Sequence, residues 1–285
     1  MKRVLTIQDI SCVGRCSLTV ALPVLSAMGL ETAVLPTAVL SAHTAFPGFT
    51  FCDMTEQMLP IAQHWQQQKL GFDAVYTGYL GSPEQLARVQ EILSRLAQPE
   101  QLVLVDPVMG DNGTLYTGFT ADYARQMREL CAGADVIVPN LTEAALLLDR
   151  PYREEYSESE LLRLLKELGD LGAGLVVLTG VQKKPDQLGV AAYRSRDGQC
   201  FTYFRRRQEQ SFHGTGDLFA SALLGGLCRG LKPKQAVALA VDFVVESIEK
   251  TLADPQRRWY GVNFEQALPL LWQKLRVQLP EEGSL

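Results

Sequence analysis

Short apolar runs alternate with segments whose apolar positions recur at helical spacing along most of the chain. Arg3–Gln8, Thr32–Val39, Ala74–Thr77, Gln101–Val105, Asp135–Val138 and Gly174–Leu178 are such runs, each bounded by polar or turn residues, and they predict strands. Between them Leu18–Met28, Met54–Gln68, Glu84–Leu96, Ala121–Leu130, Thr142–Leu148 and Glu158–Leu168 predict helices, with Ser82-Pro83 a clear start signal. Val190–Arg194 and Cys200–Phe204 read as a hairpin turning at Asp197-Gly198. Three helices follow, Thr215–Cys228, Pro233–Leu252 and one near Phe264–Leu275. Short apolar strands separated by helices imply an α/β fold, a mostly parallel central sheet with helices on both faces. No internal repeat and no Gly-, Ser- or Pro-rich linker divides the chain, so 1–285 is predicted to be a single domain.

Composition narrows the partners. The 285 residues are 47% hydrophobic and 21% charged with a net charge of −5, and the pI of about 5.4 gives no general attraction to nucleic acid or to an anionic membrane. A phosphorylated ligand must therefore be held by local donors or by a metal. No apolar run approaches the roughly 18 residues that cross a bilayer, and the opening MKRVLTIQD is too short an apolar stretch for a signal peptide. Cys12, Cys16, Cys52, Cys131, Cys200 and Cys228 are scattered, which predicts reduced thiols and a cytoplasmic protein.

The chemistry concentrates where strands end. In open α/β sheets ligands bind outside the carboxyl ends of the strands, and those ends carry Gln8-Asp9-Ile10-Ser11, Ser41-Ala42-His43-Thr44, Thr77-Gly78-Tyr79, Asp106–Asp111, Pro139–Glu143 and Thr179-Gly180. Asp106, Asp111 and Glu143 are hard oxygen donors of the kind that hold Mg²⁺ beside phosphates, although Asp111 in Asp-Asn-Gly is equally a turn residue. The stretch Ser211–Gly226 begins with a glycine-rich turn, His213-Gly214-Thr215-Gly216, and runs through Asp217 into an apolar helix. A turn of this kind at a helix N-terminus aims backbone N–H groups at one point and suits an anion. A carboxylate beside an anion hole repels the anion, and makes sense as the acceptor of a proton from an attacking hydroxyl. The same residues would also make an ordinary helix cap. His43 fits a polar residue near the core, His64 a solvated helix position, and Arg205-Arg206-Arg207 a solvated strand end that could also help hold nucleotide phosphates. GxxxxGK[ST] is absent, which excludes a P-loop enzyme.

Taken in order, GYLGS (Gly78–Ser82), DPVMG (Asp106–Gly110), PNLTE (Pro139–Glu143) and GTGD (Gly214–Asp217) resemble the ribokinase-like superfamily, and the early IQ, the S-x-HT at Ser41–Thr44 and TGY at Thr77–Tyr79 resemble its pyridoxal kinase branch. The likeness covers about Leu5 to Cys228. It implies a three-layer sandwich, a homodimer, and ATP- and Mg²⁺-dependent phosphorylation of the 5′-hydroxymethyl group of a vitamin B6 vitamer, with a monovalent-cation requirement left open. It implies Asp217 as general base, Gly214, Thr215 and Gly216 as the anion hole, Asp106 and Glu143 at Mg²⁺, Asn140, Thr179 and Gly180 along the nucleotide, and His43, Thr44 and Tyr79 beside the pyridine ring.

One position departs from the pattern. Asp9 stands where pyridoxal kinases usually have Ser, and Ser11 lies two places on. A carboxylate there favours a cationic group, hence pyridoxamine over pyridoxal, and leaves hydroxymethylpyrimidine kinase as the alternative. The superfamily also includes nucleotide-dependent dehydratases of hydrated NAD(P)H, whose acceptor pocket lacks the S-x-HT and TGY signals, and sugar kinases, whose paired N-terminal glycines are missing here. A non-catalytic vitamer-binding module would tolerate loss of Asp217. Phe46–Asp53 and Asp111–Gly118 are the candidate lids.

Overall fold

A computed structural model describes residues 1–278. Eleven strands form, β1 (Arg3–Ser11), β2 (Glu31–Leu40), β3 (Phe51–Asp53), β4 (Ala74–Thr77), β5 (Leu102–Val105), β6 (Gly110–Asp111), β7 (Thr114–Leu115), β8 (Val136–Ile137), β9 (Leu175–Lys184), β10 (Gln187–Arg194) and β11 (Gln199–Arg206). The helices are α1 (Leu18–Ala27), α2 (Thr55–Gln67), α3 (Pro83–Arg95), α4 (Ala121–Ala132), α5 (Leu141–Leu147), α6 (Glu158–Gly169), α7 (Thr215–Cys228), α8 (Pro233–Ala253) and α9 (Leu268–Gln278).

Nine strands make one sheet in the order β11-β10-β9-β8-β5-β4-β1-β2-β3. The run from β9 to β2 is parallel, while β3 closes one edge and the β10–β11 hairpin the other in antiparallel fashion. Alternation along the strands sends Val4, Tyr76, Leu104, Val136 and Val177 into one core with α1, α7, α8 and α9. Leu5, Ile7, Val75, Val105, Ile137 and Val176 enter a second core with α2 to α6. Period-two alternation with both faces apolar is what a sheet sandwiched between helices requires. All parallel strands end on the same side, so their terminal loops share one edge.

Local sequence sets the helix starts. Ser82 caps α3 by accepting the Gln85 N–H at 3.2 Å, with Pro83 in the first turn. Asn140 with Glu143 and Ser157 with Glu160 form reciprocal capping boxes on α5 and α6. Among the described residues no helix is long and apolar enough to cross a membrane.

The structure departs from the sequence pattern in three places. β9 does not stop at Leu178 but continues to Lys184, because Gly180 takes a left-handed φ of 74° and the pairing with β10 resumes beyond an irregularity. Thr179-Gly180 is therefore inside a strand. Each candidate lid contains pairing, β3 bonded to β2 in the first and the β6–β7 hairpin in the second. The last predicted helix is divided into a 3₁₀ turn, Phe264–Gln266, and α9. Pro269 lacks an N–H and stands in the first turn of α9, where no helical partner is needed.

Candidate active site

The helix α7 is buried from Leu218 to Gly226 and is packed on α1 and α8, which anchors the turn that precedes it. Gly214 has φ 79°, and a Cβ there would lie 1.8 Å from the carbonyl oxygen of Arg15. Only glycine fits so close a crossing. The first helical bond of α7 runs from the Leu218 N–H to the Gly214 carbonyl, leaving the earlier amides of the turn without helical partners. Thr215 turns its hydroxyl back to the Phe212 carbonyl at 3.1 Å, and Gly216 has open space around it.

Asp217 stands in the first turn of α7, half-buried as a residue. The Ser17 N–H donates to its Oδ2 at 2.9 Å from the start of α1. Burial pushes its carboxyl up to about 7; the Ser17 bond opposes this and the nearby charge of Asp9 adds to it. Asp106, at the end of β5, is 7% exposed, and its carboxyl is raised well above the usual range by burial and then by Asp217. Glu143 is also buried and raised, by burial first and then by Asp106. Its Oε2 accepts the Asn140 N–H at 2.8 Å and its Oε1 the Met109 N–H at 3.3 Å. The Asn140 amide closes the corner by donating to the Gly110 carbonyl at 2.9 Å.

The charges that raise Asp106, Glu143 and Asp217 come from other carboxylates: Asp217 for the first, Asp106 with Asp111 for the second and Asp9 for the third. Arg15, in the loop between β1 and α1, bonds Glu265 and Asn263. Adjacent buried carboxylates form a donor set for a divalent ion. Among the described residues no group of three or more His, Cys, Asp or Glu encloses a metal, so an ion here would draw further ligands from phosphates and water, as Mg²⁺ does.

The residues expected beside the pyridine ring come from β1 and from the loops after β2 and β4. Asp9 is 5% exposed and accepts the Ser11 hydroxyl at 3.1 Å. Burial raises its carboxyl, against hydrogen bonds from Ser17 and Ser11. His43 is half-buried; its Nδ1 accepts the Ala45 N–H at 3.1 Å, and its ring lies 4.9 Å from that of His213. Burial pushes its imidazole down, with His213 adding to the effect. Tyr79 is half-buried and feels the charge of Asp9. Thr44 is exposed.

Other expected residues sit further out. Asp111 is exposed and accepts the Asn112 N–H at 2.8 Å, the turn role its sequence allowed, although its charge still reaches Glu143. Thr179 donates its N–H to the Pro139 carbonyl at 2.9 Å, and Gly180 is exposed. Arg205 pairs with Asp242, and Arg205 to Arg207 line a groove of about 350 Å³ against Val245, Glu249 and Leu252 of α8. Sequence reasoning missed Ser17, whose N–H holds Asp217, and Tyr116, exposed as a residue although its phenol is raised by partial burial first and then by Glu143, Asp111, Asp106 and Asp217. Tyr116 follows Asp-Asn-Gly by three residues, a signal that was available; Ser17 contributes only a backbone N–H and had none.

Fold and site together define a ribokinase-like phosphotransferase acting on an alcohol group. The phosphomethylpyrimidine kinase family matches residues 24–258. Pyridoxal kinase from Lactobacillus plantarum is 34% identical, superposes with a TM-score of 0.88 and covers 98% of this chain and 100% of its own. A Bacteroides thetaiotaomicron protein described as a phosphomethylpyrimidine kinase, solved with pyridoxal, is 39% identical over 95% of each chain with a TM-score of 0.90. Pyridoxal kinase from Sus scrofa is 31% identical over 78% of this chain and 74% of its own. The chain belongs to the phosphomethylpyrimidine kinase family, in its pyridoxal kinase branch.

Proposed function

We propose that the protein transfers the γ-phosphoryl group of ATP to the 5′-hydroxymethyl group of a vitamin B6 vitamer. The observation that carries this is Asp217, a desolvated carboxyl raised to about 7 and fixed by the Ser17 N–H at the mouth of a helix whose first amides are free. A base of that strength is half ionised near neutral pH and accepts the hydroxyl proton as the oxygen attacks phosphorus. The hydroxyl oxygen bonds to the γ-phosphorus, the bond to the bridging oxygen of ADP breaks, and the proton resides on Asp217. The amides of Gly214, Thr215 and Gly216 face the charge on the transferring group, where preorganised donors are most effective. Asp106 and Glu143 would hold Mg²⁺, which supplies positive charge to the phosphates when bound. Asn140, Thr179, Gly180 and Asp111 lie on the nucleotide side; Asp9, Ser11, His43, Thr44 and Tyr79 surround the vitamer ring.

Asp9 gives the ring side a carboxylate that favours the aminomethyl group of pyridoxamine. A phosphomethylpyrimidine kinase family match supports a second acceptor, hydroxymethylpyrimidine, which carries an amine on a similar ring. All six cysteines are free, as in a reducing compartment, which supports a cytoplasmic enzyme; a homodimer rests on family resemblance, and sedimentation measures it. The test is a panel assay with ATP and Mg²⁺ offering pyridoxal, pyridoxamine, pyridoxine and hydroxymethylpyrimidine separately. Turnover of the vitamers supports the reading, turnover of the pyrimidine alone replaces it with the second, and turnover of none refutes both.

A further inference from the structure

Between β7 and α4 the chain makes a turn closed by the Phe119 N–H donating to the Tyr116 carbonyl at 3.1 Å. The turn delivers two rings to different places. The Tyr116 phenol stands in the field of the phosphate-side carboxylates Glu143, Asp111 and Asp106. Phe119 instead lies stacked on Tyr123, with centroids 4.0 Å apart and planes within 5°. Its other aromatic neighbour is Tyr79, at 5.7 Å and a tilt of 32°. Tyr123 is 1% exposed and donates its phenolic proton to the carbonyl of Leu80, the residue after Tyr79, at 2.6 Å. One half-buried ring is thus held between the hairpin that carries Tyr116 and the loop that carries Tyr79.

We propose that Phe119 is a positioning residue that couples nucleotide binding to vitamer binding. The inference rests on the vitamer kinase reading above and names how its two half-sites communicate. Tyr123, itself anchored by its bond to the Leu80 carbonyl, fixes one face of Phe119 by stacking, so a shift of the hairpin moves the free edge of the ring against Tyr79. Packed contacts of this kind change between discrete arrangements rather than deform smoothly. By linkage the effect is mutual: a vitamer that fixes Tyr79 also favours the closed hairpin, and each ligand tightens the other by the same factor. Phe119 itself touches neither ligand.

The experiment measures the vitamer dissociation constant by calorimetry on the full chain, with and without Mg²⁺ and a non-hydrolysable ATP analogue. Wild type is expected to bind the vitamer about tenfold more tightly with the nucleotide present. Phe119→Ala should bring that ratio to within about twofold of unity while leaving the nucleotide-free constant within about threefold of wild type. Phe119→Leu keeps the apolar volume but not the flat face; it should lose most of the ratio, and it carries the test should the alanine variant not fold. Phe119→Tyr should retain it. A merely structural ring would weaken both constants together and leave the ratio unchanged. A ratio of one in wild type, or a wild-type ratio kept in Phe119→Leu, overturns the coupling while leaving the kinase reading intact. Wild type that binds no vitamer and phosphorylates none overturns both.

Discussion

The protein holds two sets of carboxylates that respond to the fold in opposite directions. On the surface Glu160 is pulled down to about 2 by Arg153 and the Ser157 cap, Asp197 is lowered by Arg194 across the hairpin turn, and Asp53 is lowered by Thr55. In the candidate site Asp9, Asp106, Glu143 and Asp217 are all raised, with burial the first cause in each. The residue types are the same; the difference is where the partner comes from. Surface carboxylates find a donor or cation within the chain. The buried carboxylates also accept hydrogen bonds, from Ser17, Ser11, Asn140 and Met109, but desolvation outweighs them, an arrangement that is unfavourable until a cation or a proton arrives from outside. A fold that tolerates this has kept stability in reserve for binding.

Removing the base tests the distinction most severely. Asp217→Asn should lower kcat by roughly 10³-fold or more, whereas Asp197→Asn should leave it within about twofold. Steady-state assays of both variants decide it, and comparable losses would erase the difference between the two sets. The pH profile comes next. With Asp217 raised to about 7, kcat/KM for the vitamer should fall as pH drops through that value, and a profile flat down to pH ~5 would contradict the base assignment.

Stability sharpens the comparison from the other side. A carboxyl raised in the folded state stabilises fully below its unfolded value and loses that contribution as pH rises through its folded value. For Asp217 the window runs from 3.8 to about 7, and Asp106 and Glu143 act in the same sense. The Tm of the ligand-free protein should therefore fall as pH is raised across this window, and Mg²⁺ should reduce the fall. Asp106→Asn should raise the ligand-free Tm by a few degrees, roughly 2–4 °C for a chain of this size, while increasing the Mg²⁺ needed for turnover; scanning fluorimetry and a Mg²⁺ titration measure both. Glu160 runs oppositely: its contribution is present above its ordinary value and lost as pH falls toward about 2. The smallest effect belongs to Asp9→Ser, which should lower the ratio of kcat/KM for pyridoxamine over pyridoxal by about three- to tenfold; an unchanged ratio would remove Asp9 from vitamer selection.

Much of the architecture was legible because its signals are local. The apolar strands, the Ser82-Pro83 start and the Asp197-Gly198 turn each follow from a few neighbouring residues, and each appears in the fold. The extension of β9 beyond Gly180, the pairing of β3 and the β6–β7 hairpin were hidden, because short polar strands are stabilised by a neighbouring strand rather than by their own pattern. The same division runs through the site.

Glycine at 214, the carboxylates at 9, 106, 143 and 217 and the order of the motifs were determined by the sequence itself, since backbone freedom and side-chain chemistry belong to single residues. Which carboxylates ionise with difficulty, that Ser17 steadies Asp217 from two hundred residues away, and that Phe119 lies between Tyr79 and Tyr123 were decided by tertiary structure alone. Burial, Coulomb coupling and ring stacking act through space, and the distances they depend on exist only after the chain has folded.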